Sequence, residues 1–168
     1  LIGRGTGPSG GTVARKINEQ GKRVAIVESR QFGGVCALRG CNPKKVYVNA
    51  ASIVDQARRS VGKLVRHADI AIDWTQLNRF KQEFTNPVAG QSEAEFRDAA
   101  IATFQGTARF TSSDTIELTE GKRRLRAQRL LVATGATPAP LGISGEEYVV
   151  RSDDFLNLTS LPDRLLFI

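Results

Sequence analysis

The chain has 168 residues, 40% hydrophobic and 24% charged, the make-up of a folded domain with a real core rather than of a disordered or fibrous chain. No apolar run approaches the roughly 18 residues that a membrane helix needs, and Gly3 and Arg4 interrupt any secretory leader at once. The net charge of +7 brings phosphates and nucleic acid into consideration, but the densest basic run (Lys122, Arg123, Arg124, Arg126, Arg129) has no interleaved aromatics and reads as a solvated hairpin, which argues against nucleic acid.

The chain begins at Leu1 and contains no methionine, so it reads as a piece of a longer protein. Its opening "LIG" has the texture of a strand, and "PSGGTVARKINEQG" that of a helix with Val13 and Ile17 on one face and Gly21 as its stop. "RVAIVE" is a short apolar run ending in an acid, as a buried parallel strand would be. Strand, helix and strand in this order make a βαβ start. The cysteine segment then leads into a long helix reaching about Ser60. "DWTQLNRFKQEF" places Trp74, Leu77, Phe80 and Phe84 on one helical stripe, and "SEAEFRDAAIATF" reads as a further helix. From Gly106 onward, short β-type runs divided by "SSD" and "EGK" predict a meander of strands. "ATPAPLGISGEE" is a Pro/Gly-rich connection, and "LPDRLLFI" predicts one more apolar strand.

Two stretches carry chemistry. The first, "GTGPSGGTVA", spells Gly5-x-Gly7-x-x-Gly10 between the first strand and the first helix. The three glycines permit a tight turn, a close backbone approach to a pyrophosphate and close helix–strand packing. The helix N-terminus offers free N–H groups and a positive dipole end to the same phosphates. Glu28 closes the second strand 23 residues after Gly5, near the spacing expected of an acid on ribose hydroxyls. Arg4 is an odd occupant for the buried end of a first strand. The alternative register, Gly3-x-Gly5, puts Pro8 at the third glycine and lengthens the gap to Glu28, so the Gly5 register is kept.

The second stretch, "GGVCALRGCNPKK", holds both cysteines, Cys36 and Cys41. With no secretory leader they point to a reducing, cytosolic setting, where a close pair is more often catalytic or metal-binding than a passive staple. A closed zinc site needs four ligands, and the only histidine, His67, lies 26 residues past Cys41, so no metal is expected. Two unpaired buried thiols are the other alternative. In a regular helix, Cα atoms five positions apart lie about 8.7 Å apart, beyond the ~7 Å limit of a disulfide. A Cys36–Cys41 bond therefore requires a distorted helix start, for which Gly33, Gly34, Gly40 and Pro43 give latitude. Helix N–H groups, with Arg39, Lys44 and Lys45 nearby, would stabilise a thiolate. Together these features suit a thiol–disulfide exchange centre.

"GTGPSGG", "AIVE" and "GGVCALRGCNPKK" in this order resemble the FAD-dependent flavoprotein disulfide reductases, such as glutathione reductase, dihydrolipoamide dehydrogenase and mercuric reductase. "GTARF" is similar to the segment that lays backbone on the adenine, "LLVATGATPAP" to the second FAD motif, and "RSDDFLNLTSLPDRLLFI" to the bridge into an NAD(P)-binding domain. The resemblance implies a Rossmann-like α/β FAD-binding domain over 1–150, with a parallel sheet and an antiparallel β-meander, and a connection and first strand of an NAD(P)-binding domain over 151–168. It implies that Gly5, Gly7, Pro8, Ser9 and Gly10 face the pyrophosphate of FAD, and Glu28 and Ser29 the adenosine ribose. Thr107 and Ala108 would lie by the adenine. Gly34, Val35, Cys41, Ala133, Thr134 and Gly135 would border the flavin, with Lys44 or Lys45 near the nitrogen that accepts hydride. Val35 stands where the family usually has threonine.

The implied activity passes electrons from NAD(P)H through FAD to a Cys36–Cys41 disulfide and on to a disulfide substrate, small molecule or small protein. "CALRGC" with "PKK" leans towards glutathione reductase; lipoamide oxidation and Hg(II) reduction are the alternatives within the family, and a non-catalytic dinucleotide- or nucleic-acid-binding module is the alternative outside it. The family's acid–base pair belongs to a later dimerisation domain, so His67 is not that base. A cytoplasmic homodimer is the implied whole.

Overall fold

A computed structural model describes residues 1–168. Strand β1 (Ile2–Arg4) leads into helix α1 (Pro8–Glu19) and strand β2 (Ala25–Glu28). Helices α2 (Gly34–Arg39), α3 (Cys41–Ser60), α4 (Trp74–Thr85) and α5 (Val88–Asp98) follow. Then come β3 (Ala102–Gln105), β4 (Ala108–Phe110), β5 (Thr115–Leu118), β6 (Arg124–Arg126) and β7 (Leu130–Val132), and finally the short helix α6 (Ser152–Phe155). The fold is the expected α/β arrangement: a parallel sheet in the order β3-β2-β1-β7, and a separate antiparallel meander β4-β5-β6. No helix is long and apolar enough to cross a membrane.

The parallel sheet is covered on both faces, which is why "RVAIVE" is continuously apolar. On one face Ile26 packs with Ala14 of α1, Phe32, Phe96 of α5 and Ile101. On the other, the next residue of β2, Val27, packs with Ile2 and with Ala108, Ile116 and Leu118 of the meander. Phe96 is only 1% exposed and lies tilted against Phe32 with ring centroids 6.4 Å apart. Phe96→Ala is expected to cost about 3–5 kcal/mol and to lower Tm by roughly 10 °C. A thermal melt within about 2 °C of the parent would show that Phe96 is not a keystone of this core.

Three expectations about the helices need correction. The buried face of α1 is Gly10, Gly11 and Ala14 with Ile17, while Val13 is exposed, because small residues let the helix lie close on the sheet. The distorted helix start expected between the cysteines is present, as a break at Gly40 (φ −143°, ψ −105°) between α2 and α3, and α3 reaches Ser60 as expected. "SEAEFRDAAIATF" is not one helix. It stops at Asp98, turns through Ala100 in the left-handed region (φ 58°), and "ATFQ" becomes β3 because it pairs with β2. On α4, Phe80 and Phe84 are exposed, stacked edge to face on each other, and the buried positions are Asn78 and Lys81. That face must supply donors, since it meets main-chain carbonyls: Lys81 Nζ donates to Leu156 O (2.6 Å), while Asn78 Nδ2 (2.8 Å) and Trp74 Nε1 (3.0 Å) donate to Leu158 O.

The expected strand in "LPDRLLFI" does not form. Leu166, Phe167 and Ile168 are 88%, 79% and 78% exposed, and no neighbouring strand offers them a ladder. The segment before them packs back onto the domain: Asp153 Oδ2 lies 3.2 Å from Arg30 Nη1 and 3.4 Å from Arg39 Nε.

Candidate functional site

The glycine loop closes in the Gly5 register. β1 runs through Arg4, Gly5 turns with φ 105°, Gly7 caps α1, and Pro8 takes the first helical position, where its missing N–H costs nothing. Gly7 offers no capping side chain, and the first internal hydrogen bond of the helix runs from Gly11 N–H to Gly7 O (2.9 Å). The N–H groups of the first turn, Ser9 and Gly10 among them, therefore have no intrahelical acceptor.

The glycines are required by contact. A methyl on Gly5 would strike Ala133 O, and one on Gly10 would strike Gly5 O. Gly34, with φ 71°, sits so close to Gly7 that a methyl would be driven into the Gly7 backbone. Three separate stretches thus meet at one point: the first glycine loop, the Gly33–Gly34 turn, and Ala133 at the end of β7. Ala133 N–H also donates to Arg4 O (2.9 Å). Thr134 and Gly135 follow, exposed on the same rim.

Glu28 ends β2 beside the loop and is 9% exposed. Its Oε2 accepts from Thr6 N–H (3.0 Å) and Thr6 Oγ1 (2.6 Å), and its Oε1 accepts from Arg30 N–H (2.9 Å). A carboxylate has about four acceptor directions, so Oε1 keeps one open for a ligand hydroxyl. Ser29, next in the chain, is exposed. Thr107 is already engaged: its N–H donates to Glu120 Oε2 (3.0 Å) and its carbonyl accepts from Thr119 N–H (2.8 Å). Ala108 is 3% exposed and its methyl belongs to the core.

The break at Gly40 brings the cysteines together. Both are free thiols and half-buried. The interaction between the two thiol side chains raises the pKa of Cys36 and lowers that of Cys41. The position of Cys41 also favours its thiolate: it is the first residue of the 20-residue α3, at the positive end of the helix dipole, and Lys44 and Lys45 favour its charge. Both lysines are exposed, as is Val35. Cys36 lines a cleft of about 240 Å³ shared with Thr6, Gly7, Pro8, Thr12 and Arg15. A larger cavity of about 740 Å³ lies elsewhere, walled by Arg30, Phe32, Arg39, Glu93 and Gln105, and holds neither cysteine. Sequence reasoning missed Thr6, which occupies a variable position inside the fingerprint, and Asp153, whose link to Arg30 and Arg39 spans more than 100 residues.

Comparison with known proteins agrees with this assembly. The family model described as pyridine nucleotide-disulphide oxidoreductase matches residues 5–168. The chain is 28% identical to a dihydrolipoyl dehydrogenase of Bacillus subtilis (strain 168) over 98% of its length and 37% of that protein. It is 30% identical to a glutathione reductase of Burkholderia cepacia over 100% of its length and 36% of that protein. Among solved structures, the HOCl-induced flavoprotein disulfide reductase RclA from Escherichia coli superposes with a TM-score of 0.72 at 23% identity, covering 96% of this chain and 34% of that one. The chain thus spans a little over a third of the length of the curated relatives it matches. With a parallel sheet led by a glycine loop, a thiol pair at a broken helix and a family match over nearly every residue, the chain belongs to the pyridine nucleotide-disulphide oxidoreductase family.

Proposed function

We propose that this chain is the FAD-binding part of an NAD(P)H-dependent disulfide reductase in which Cys36 and Cys41 are the exchange pair. The observation that carries the reading is the meeting of the two thiols at the Gly40 break, with Cys41 at the head of α3 and the glycine loop packed against the turn that leads to Cys36. The residues fit FAD: the loop has uncapped N–H groups, and the missing side chains of Gly5, Gly10 and Gly34 let the backbone segments around it, Ala133 and Gly7 among them, close up on one another. Gly5, Gly7, Pro8, Ser9 and Gly10 would hold the pyrophosphate, Glu28 and Ser29 the ribose, and Thr107 and Ala108 the adenine. Gly34, Val35, Cys41, Lys45, Ala133, Thr134 and Gly135 would border the flavin. When bound, FAD supplies two-electron transfer between a nicotinamide and the thiol pair.

The thiols themselves perform the exchange. Cys36 passes its proton to Cys41 and attacks one sulfur of the substrate disulfide; that S–S bond breaks, and the leaving thiolate takes the proton from Cys41. Cys41 thiolate then attacks Cys36 Sγ, releasing the second substrate thiolate to be protonated by water and leaving a Cys36–Cys41 disulfide. A glutathione-reductase-like direction is favoured by "CALRGC" with "PKK"; dihydrolipoamide dehydrogenase and Hg(II) reduction use the same pair. Residues 1–150 would form the FAD domain and 151–168 the passage to an NAD(P) domain, in a cytoplasmic homodimer.

The test is a visible spectrum of the purified protein, expected to show flavin released as FAD on denaturation. A protein that carries no flavin and takes up no added FAD would overturn the reading. Glu28→Ala is expected to raise the Kd for FAD on the order of 10- to 100-fold, the loss of one charge-assisted hydrogen bond of ~1.5–3 kcal/mol, while both thiols still titrate. Unchanged affinity by flavin fluorescence would mean that Glu28 does not meet the ligand.

A further inference from the structure

The hydroxyl of Thr6 touches the glycine loop's acid and the thiol turn at once. Oγ1 donates to Glu28 Oε2 at 2.6 Å and accepts the N–H of Gly33 at 3.0 Å. Thr6 is 5% exposed, so bulk water does not compete for either bond. The neighbouring backbone has no slack, since Gly5 packs on Ala133 and Gly7 on Gly34. From Gly33 (φ 113°) the chain passes directly into α2, which carries Cys36 and stops at Gly40, immediately before Cys41.

We propose that Thr6 is a positioning residue for the thiol pair: its hydroxyl ties the Gly33–Gly34 turn to the glycine loop and so sets where Cys36 stands relative to Cys41. The proposal rests on reading that pair as the exchange centre. Without the hydroxyl, Gly33 N–H has no acceptor. The turn then leaves the loop, and α2 no longer sets Cys36 in its place relative to Cys41. A hydrogen bond that only braced the fold would change the melting temperature and nothing at the sulfurs.

The experiment compares Thr6→Val, which keeps the shape and removes the hydroxyl, with Thr6→Ser, which keeps the hydroxyl. Alkylation of the reduced purified protein by iodoacetamide is followed against pH, with Cys36 and Cys41 peptides separated by mass spectrometry. In Thr6→Val the Cys41 midpoint should rise by about one pH unit, so that labelling below it slows roughly tenfold; Thr6→Ser should return to the wild-type profile. Identical profiles for wild type and Thr6→Val overturn the proposal, as does a shift that Thr6→Ser fails to reverse. If Thr6→Val does not fold, hydrogen exchange in the wild type decides: a protected Gly33 amide supports the tie, and exchange at the open-chain rate overturns it. A wild type without flavin or disulfide turnover would instead sink the exchange-centre reading, while the alkylation profiles would still report on Thr6.

Discussion

Cys36→Ser is expected to abolish disulfide turnover, by at least about a thousandfold, and yet to leave the Cys41 pKa lowered. The serine hydroxyl puts a polar O–H in place of the Cys36 thiol beside Cys41, and Lys44, Lys45 and the head of α3 remain in place. In the flavin-loaded protein this thiolate should give a long-wavelength absorption band without any reductant. Because the Cys41 pKa is lowered, the thiolate persists as pH falls below the ordinary thiol range near 8.5, and the band fades only under more acid conditions. Cys41→Ser should lose both the band and turnover. A band that survives only in Cys41→Ser would reverse the two roles. Disulfide reduction retained by both variants would remove the pair from the chemistry altogether.

The second large effect should come from Gly34→Ala. Alanine there has two faults: φ of 71°, which costs about 1–2 kcal/mol, and a methyl directed into the Gly7 backbone, with overpacking of typically 1–3 kcal/mol more. Backbone cannot rotate aside as a long side chain can, so the glycine loop and the thiol turn must separate. Gly21→Ala is the matched control, since Gly21 has nearly the same φ, 73°, and nothing within 4 Å of the added methyl. Gly34→Ala is expected to lower Tm by roughly 10 °C, against about 3 °C for the control, and to weaken FAD binding at least about tenfold where the control leaves it intact. Equal effects from the two substitutions would show that the close packing of Gly34 on Gly7 does not shape the ligand site.

The parts legible in the sequence are those fixed by local chemistry. Gly5, Gly7 and Gly10, the βαβ start, the acid at the end of β2 and the need for a broken helix between Cys36 and Cys41 all follow from short-range steric and hydrogen-bonding rules. Where long-range partners decide, the sequence misleads. "ATFQ" continues a helical pattern, but β2 claims it as a strand. Phe80 and Phe84 have the spacing of a buried stripe, but α4 turns Asn78 and Lys81 inward because carbonyls await them. Thr6 looks like a spacer between glycines until Glu28 and Gly33 are seen on either side of it. A "G-x-G" pattern contains no information about what x must touch.

The way α4 grips the segment after α6 has a consequence for how such a protein can diverge. Lys81, Asn78 and Trp74 address the main-chain oxygens of Leu156 and Leu158, and Tyr47 adds a hydroxyl toward the first of these. A grip on carbonyls does not depend on side-chain identity at the positions gripped. Asn157, whose side chain bonds only to Asp153 O within the same segment, is therefore free to change without loosening it. The burden of staying the same falls on α4: change at Asn157 is tolerated, whereas each donor lost from the helix removes one of the two hydrogen bonds that a connector carbonyl accepts.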